Sequence, residues 1–193
     1  MPSIHRRDFL AASAALSGLA MSGIPAFAQT PRRGGTLRVS VDQAVSKLNP
    51  LVTRVNPEYL VAELLYSGLT RLKVDMSAEP DLAESWTSSA DLTEWTFTLR
   101  KGLAFHDGSP CMAADVVATF EAILDPKTAS PARQNVGPIA KVSAKDDATV
   151  VFNLSAPFAD LPVTLAYTNA KIVPAAVIKS GLEKLDRQAI GTG

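Results

Sequence analysis

Residues 81–124, DLAESWTSSADLTEWTFTLRKGLAFHDGSPCMAADVVATFEAIL, decide the fold because they hold two strands, a tight turn and the start of a helix. From Glu94 to Arg100 polar and apolar residues alternate strictly, which is the pattern of a strand with one buried face. The apolar face of this strand carries Trp95, Phe97 and Leu99. The preceding segment, Ser85 to Ser89, is predicted to pair with it as a hairpin.

The second half of this run changes from strand to helix. His106 to Pro110 predicts a turn, because Asp-Gly favours tight turns and proline withholds a backbone donor. From about Ala113 to Leu124 the spacing of apolar residues predicts a helix with one buried stripe, and Asp125-Pro126 ends it. The stripe consists of Val116, Val117, Phe120, Ile123 and Leu124.

These motifs occur in an order that resembles a known family. LAESW, a strand ending in LRKG, then FHDGSP and a helix opening with AADVV are similar to the extracytoplasmic solute-binding proteins of family 5. That family is the peptide, dipeptide and nickel class that serves ATP-binding-cassette (ABC) importers. GGTLRVSV, LNP, LYSGLTRL and IGTG extend the resemblance over Gly34 to Gly193. It implies a mixed α/β fold, the amino-terminal part of a two-lobed, class II periplasmic-binding-protein-like fold.

The resemblance also implies a division of the chain, with two departures from the family. We expect a signal peptide at 1–28, a leader and first main-lobe strand at 29–51, an α/β subdomain at 52–184, and a truncated return to the main lobe at 185–193.

The first departure from the family is Met112, which stands where the family offers a Thr or Ser helix cap worth about 1 kcal/mol. The second is length, because the family continues through a second lobe.

The first residues have the pattern of an export signal. Arg6-Arg7 is a twin-arginine signature, an apolar segment follows, and Ala26-Phe27-Ala28 is a cleavage site of the A-x-A kind. A membrane anchor is the weaker interpretation, because Ser, Gly and Pro interrupt the segment before it reaches the roughly 20 apolar residues of a bilayer span. We therefore predict a periplasmic protein cleaved after Ala28.

Other elements follow from the same rules of periodicity and capping. Thr36 to Val41 alternates and is predicted to be the first strand, and Asn56-Pro57 is predicted to cap a helix over Glu58 to Leu65. Further strands are predicted at Leu69–Val74, Ile139–Ala144 and Thr149–Leu154, and further helices at Leu161–Tyr167 and Ala175–Lys179. Lys145 to Ala148 is predicted to be a hairpin turn.

Composition and motifs argue against an enzyme and against nucleic-acid binding. Loss of the signal would leave 17 basic and 18 acidic residues of the original 19 and 19, so there is no basic field for nucleic acid. His106 is interpreted as a turn residue rather than a base or ligand, and Cys111 as an apolar filler rather than a reactive thiol. Asp146 and Asp147 are interpreted as a solvated turn, because further oxygen ligands for a cation are lacking. We expect no catalytic residue, cofactor or metal site.

The favoured hypothesis for function is a periplasmic protein that captures a short peptide or similar solute for an ABC permease in the inner membrane. A nickel or metal-chelate carrier of the same class is one alternative, and a secreted hydrolase is another. We expect a monomer. The loop that leaves the first strand is best placed for a pocket, so Asp42 and Gln43 are the predicted ligand-binding residues. A solvated loop fits these two residues equally well.

Overall fold

The computed structural model describes residues 34–193, which divide into two units between Ser40 and Val41. The predicted signal peptide, with Arg6, Arg7, Ala26 and Ala28, lies outside the described residues. Within the first unit, residues 34–40 form no helix or strand.

Residues Thr36 to Val41, predicted to be the first strand of the main lobe, form no strand within the described chain. These residues belong to no sheet of the described chain, and the side chains of Leu37 and Val39 are 86% and 70% exposed. Alternation makes a strand only where a neighbouring strand satisfies the backbone and another layer covers the apolar face. Neither condition is met among residues 34–193.

A four-stranded antiparallel sheet organises the second unit. Its strands are β3 (Ala83–Ser88), β4 (Glu94–Leu99), β5 (Ile139–Asp146) and β6 (Thr149–Leu154), in the order β3-β4-β6-β5. The predicted hairpin of β3 and β4 is confirmed, with Trp86 opposite Phe97. The β5–β6 turn is shorter than predicted, since β5 continues to Asp146 and only Asp147 and Ala148 remain between the strands.

A second, two-stranded sheet precedes it. β1 (Thr70–Leu72) pairs with β2 (Ala78–Pro80) in antiparallel register. The prediction of a strand from Leu69 to Val74 was too long at both ends, and β2 was not predicted. The turn between the strands is closed by the Asp75 carboxylate, which accepts hydrogen bonds from the backbone and hydroxyl of Ser77.

The helices agree with the predicted positions but not with all of the predicted ends. They are α1 (Asn56–Leu65), α2 (Ala113–Leu124), α3 (Leu161–Thr164) and α4 (Ala175–Ser180). The predicted cap at Asn56 is wrong: Val55 is the N-cap and its side chain makes no capping hydrogen bond. α3 is only four residues long, so the predicted helix to Tyr167 stops early. Short 3-10 helices lie at Pro126–Thr128, Pro131–Gln134, Thr168–Ala170 and Leu182–Asp186.

The start of α2 lacks a side-chain cap from Met112, as the sequence predicted. Asp115, in the first turn of α2, accepts the hydrogen bond at this helix end instead. Its Oδ2 accepts from the Met112 backbone N–H at 2.9 Å, and its Oδ1 accepts from the Ala175 backbone N–H at 2.8 Å. One carboxylate therefore satisfies donors at the starts of both α2 and α4 and holds the two helices together.

The core lies between α2 and the four-stranded sheet. Phe152 of β6 is fully buried and makes edge-to-face contacts with Phe97 and Phe120, at centroid distances of 5.4 and 5.0 Å. Trp95 is also buried, and its Nε1 donates to the Phe158 carbonyl at 3.2 Å. Cys111 is packed into the same core, which confirms its interpretation as a filler, and burial raises the pKa of its thiol to about 12.

Within residues 34–193, none of the helices combines the length and the apolar character needed to cross a membrane.

Candidate ligand-binding site

Asp42 and Gln43 lie at the start of the segment that leads into α1. Both side chains are exposed, both residues form a bend, and neither side chain makes a hydrogen bond within the described chain. The structure therefore leaves their polar groups accessible.

Glu58, in the first turn of α1, fixes the rest of this segment. Its carboxylate accepts from the Ser46 hydroxyl at 2.5 Å, the Thr53 hydroxyl at 2.5 Å and the Lys47 backbone N–H at 3.1 Å. Burial alone would raise the pKa of Glu58, but these hydrogen bonds outweigh it and the net pKa is lowered. The charged carboxylate thus ties the segment on both sides of Asn49-Pro50 to the helix.

Two asparagines anchor the turn at Asn49-Pro50. The Asn49 Oδ1 accepts from the Leu51 backbone N–H at 3.1 Å, and its Nδ2 donates to the Leu182 carbonyl at 3.0 Å. The fully buried Asn169 donates from Nδ2 to the carbonyls of Pro50 and Thr53, at 2.6 and 3.0 Å. Every one of these bonds joins segments that are far apart in sequence or closes the turn itself, so the loop has a fixed path.

Three cavities lie in a row beside this loop, and the middle one shares lining residues with each of the other two. Their volumes are about 250, 430 and 400 Å³. Arg54 and Ala129 line the first and the second cavity, while Lys47, Val52 and Thr128 line the second and the third. We call this continuous depression the Lys47 groove. Asp42 and Gln43 line none of its three cavities.

The Lys47 groove is rich in hydrogen-bond donors. Its basic side chains are Lys47, Arg54, Lys127 and Arg133. Three acidic residues line it: Glu58 is buried and saturated by its own hydrogen bonds, Asp186 lies 3.7 Å from the Lys47 ammonium, and Glu183 is exposed at the far end, in the third cavity. Among residues 34–193, no group of three His, Cys, Asp or Glu side chains could hold a metal ion. The groove is therefore suited to a polar or anionic molecule.

His106 is a turn residue, as predicted, and has a further role that the sequence did not reveal. Its Nδ1 accepts from the Gly191 backbone N–H at 3.3 Å, and its Nε2 lies 2.9 Å from the Gly193 carbonyl. A Cβ atom at Gly191 would lie 2.0 Å from the Leu65 carbonyl, so only glycine fits there. Both ring nitrogens are thus used to hold the segment 191–193 against the end of α1.

Sequence reasoning missed the residues that shape the groove. Glu58 was predicted only as part of a helix, although an acidic residue directly after Asn-Pro at a helix start is a signal for a capping role. Arg54, Arg133 and Asn169 carry no local signal. Arg54 contacts Ala129 and Asn169 contacts Pro50 across 75 and 119 positions of sequence, and Arg133 lines a cavity with Arg54 only in the folded chain.

Comparison with solved structures identifies the class of fold. The chain matches the periplasmic binding protein AgaA of A. tumefaciens R10, solved with agropinic acid, with a TM-score of 0.72 and 34% identity over 78% of this chain. The match covers 30% of AgaA. The predicted fold class is therefore confirmed: the chain has the mixed α/β fold of part of a periplasmic binding protein.

Comparison with protein families identifies the family itself. Residues 77–193 match the model described as "Bacterial extracellular solute-binding proteins, family 5 Middle". The chain belongs to the family 5 bacterial extracellular solute-binding proteins, which confirms the resemblance seen in the sequence.

Two relatives in Escherichia coli agree with this assignment. The probable D,D-dipeptide-binding periplasmic protein DdpA of strain K12 is 39% identical over 68% of this chain. The glutathione-binding protein GsiB of strain O1:K1 is 35% identical over 80% of this chain. The matched regions span 26% and 30% of those proteins, so the chain covers less than a third of the length of either relative.

Proposed function

We propose that this chain is the amino-terminal part of a two-lobed periplasmic protein that captures a short peptide or similar solute and delivers it to an ABC permease. The observation that carries the proposal is membership of family 5, together with relatives named for binding a dipeptide and glutathione. Periplasmic location follows the name of DdpA and the twin-arginine pattern of this sequence.

Asp42 and Gln43 are the residues we propose for contact with the solute. They are exposed and make no hydrogen bond within the described chain. Only three residues separate Gln43 from Lys47, whose backbone is tied to Glu58. Residues that lie this close to a fixed segment of backbone lose little conformational freedom when a ligand binds. In a two-lobed binder each lobe supplies part of the contact, and closure excludes water from it.

The two alternatives have less support. A hydrolase needs an accessible nucleophile next to a base. Cys111 is buried, with its thiol pKa raised to about 12, and both ring nitrogens of His106 contact backbone groups. For a nickel or metal-chelate carrier, the described residues present no cluster of metal ligands, so a chelate would have to bring its own ligands.

Calorimetry on a complete homologue that carries this amino-terminal region tests the proposal. A short peptide is titrated into the wild type and into Asp42→Ala and Gln43→Ala variants. Loss of a direct hydrogen bond to a buried ligand group should weaken binding by about 1 to 3 kcal/mol. Asp160→Ala and Gln188→Ala are matched controls, because both residues are exposed and neither side chain is hydrogen-bonded in the described chain.

The alternatives give different results in the same experiment. If short peptides do not bind and a nickel chelate does, the carrier is of the metal type. If the peptide is recovered cleaved, the protein is a hydrolase. Unchanged affinity in both variants would remove Asp42 and Gln43 from the site.

A further inference from the structure

The two arginines of the Lys47 groove form no ion pair in the described chain, as is true of most of its basic residues. Three cations there form ion pairs: Lys47 with Asp186, Arg71 with Glu79 and Lys171 with Glu63. Arg54 and Arg133 have no carboxylate at ion-pair distance among residues 34–193. Both line the first cavity of the groove, of about 250 Å³, which we call the arginine cleft.

Each guanidinium in the arginine cleft is held in place by one backbone carbonyl. Arg54 donates from Nη2 to the Ala129 carbonyl at 2.7 Å, and Arg133 donates from Nε to the Leu124 carbonyl at 3.0 Å. Ala129 has a left-handed backbone, with φ of 53°, and ends the 3-10 helix before it. A guanidinium has five N–H donors, so each arginine keeps several for another partner while its orientation is set.

The other polar groups of the cleft are also donors. Ser130 is buried, its hydroxyl oxygen accepts from the Ala132 backbone N–H, and no hydrogen bond within the described chain uses its proton. Gln134 adds an exposed side-chain amide. No acidic residue lines this cavity. The nearby Asp125 carboxylate is engaged with the Lys127 backbone N–H at 2.9 Å.

We propose that the arginine cleft binds the carboxylate group of a small acidic solute. Two oriented guanidinium groups match the planar, bidentate geometry of a carboxylate, and the hydroxyl of Ser130 can supply a further donor. This inference deepens the proposed function and rests on it in one respect: the molecule held here is the captured solute.

The neighbouring cavity suits the remainder of such a solute. It shares Arg54 and Ala129 with the arginine cleft and is lined farther on by the apolar side chains of Val52 and Val55. A carboxylate in the cleft would thus direct an uncharged portion of the molecule toward these valines. The substrate class is therefore a short peptide or related compound with an acidic end.

Titration of the 193-residue chain with a simple carboxylate tests the cleft directly. Sodium glutarate is added to ¹⁵N-labelled protein at constant ionic strength, and amide shifts are followed by NMR. The expected result is a saturable response confined to the cleft, with the largest shifts at Ala129 and Ser130. Scattered, non-saturating shifts, or a response to inorganic phosphate but not to glutarate, would overturn the proposal.

Variants assign the response to the two arginines. Arg54→Gln and Arg133→Gln should each weaken glutarate binding about tenfold, as expected for loss of a charge-assisted hydrogen bond. Arg100→Gln is the matched control, because Arg100 is also exposed and donates from Nε to a backbone carbonyl, that of Asp81, outside the cleft. Wild-type affinity in either folded arginine variant would overturn the proposal. Because Arg54 and Arg133 lie in different segments of the chain, a substitution that prevents folding at one position leaves the other variant available for the test.

A second arm tests the link to the solute. In a complete homologue that carries this region, Gly-Glu should bind about tenfold more tightly than the C-terminal amide of Gly-Gln, which has no carboxylate, and Arg133→Gln should remove the difference. Equal affinities would contradict an acidic solute. Failure of the homologue to bind any solute would instead refute the proposed function, while the glutarate titration of this chain would still report on the cleft.

Discussion

The hydrogen bonds of Glu58 provide a quantitative test of how the candidate loop is held. Glu58→Gln keeps the shape of the side chain but removes the charge that receives three hydrogen bonds, from Ser46, Lys47 and Thr53. Hydrogen bonds to charged groups contribute about 1 kcal/mol more than neutral ones, and the neutral amide costs less to bury. We expect a net loss of about 2 kcal/mol in the free energy of unfolding at pH 7.

The assay is urea unfolding, supported by thermal unfolding. For a domain of this size the loss corresponds to a fall in Tm of roughly 4 to 8 °C. The effect depends on pH, because the folded-state pKa of Glu58 lies below its ordinary value of 4.5. The stabilisation by the Glu58 carboxylate is complete at pH values above 4.5 and is lost as the pH falls from 4.5 toward the lowered pKa. The free energies of unfolding of the wild type and of Glu58→Gln should therefore converge in acid.

Glu84→Gln is the control for this prediction. Glu84 lies exposed on β3, and its side chain makes no hydrogen bond within the described chain. We expect Glu84→Gln to change the free energy of unfolding of the chain by less than about 0.5 kcal/mol. If Glu58→Gln is no more destabilising than Glu84→Gln at pH 7, or if its effect does not shrink in acid, the role assigned to the Glu58 carboxylate is wrong.

Three further predictions follow from the packing and the helix ends. Met112→Ser should raise the free energy of unfolding by about 1 kcal/mol, because serine can cap α2 where methionine does not; an unchanged urea midpoint would contradict this. Phe152→Ala should destabilise the chain by about 3 to 5 kcal/mol, since it empties the centre of the aromatic core, whereas a loss below about 1 kcal/mol would not fit that packing. Cys111 should react with a thiol reagent at pH 8 only after unfolding, because its buried thiol has a pKa raised to about 12; rapid labelling of the native chain would show that it is accessible.

Local patterns predicted those elements whose partners lie close in sequence. β4 and α2 were predicted nearly to the residue, because alternation and the 3.6-residue period report directly on a buried face. The hairpins of β3 with β4 and of β5 with β6 followed from short connections. Residues Thr36 to Val41 form no strand among residues 34–193, because alternation describes a face but does not supply a partner strand.

Sequence patterns were less informative about the site, because its geometry depends on distant contacts. Asp42 and Gln43 were selected from their position after a predicted strand, and the structure finds both side chains exposed. The Lys47 groove was not predicted, since it forms where the loop on both sides of Pro50 meets residues near 130 and 180. The motif FHDGSP identified the family, while the contacts of His106 with Gly191 and Gly193 required the folded chain.

The central claim is that this segment belongs to a protein that captures a short peptide or similar solute. It is tested most directly by a ligand-bound crystal structure of a complete homologue that carries this amino-terminal region. We predict an intact short peptide between two lobes, in contact with Asp42 or Gln43, and with its acidic end between Arg54 and Arg133. A solute bound without contact to residues 42–58 or to the arginine cleft would contradict the account.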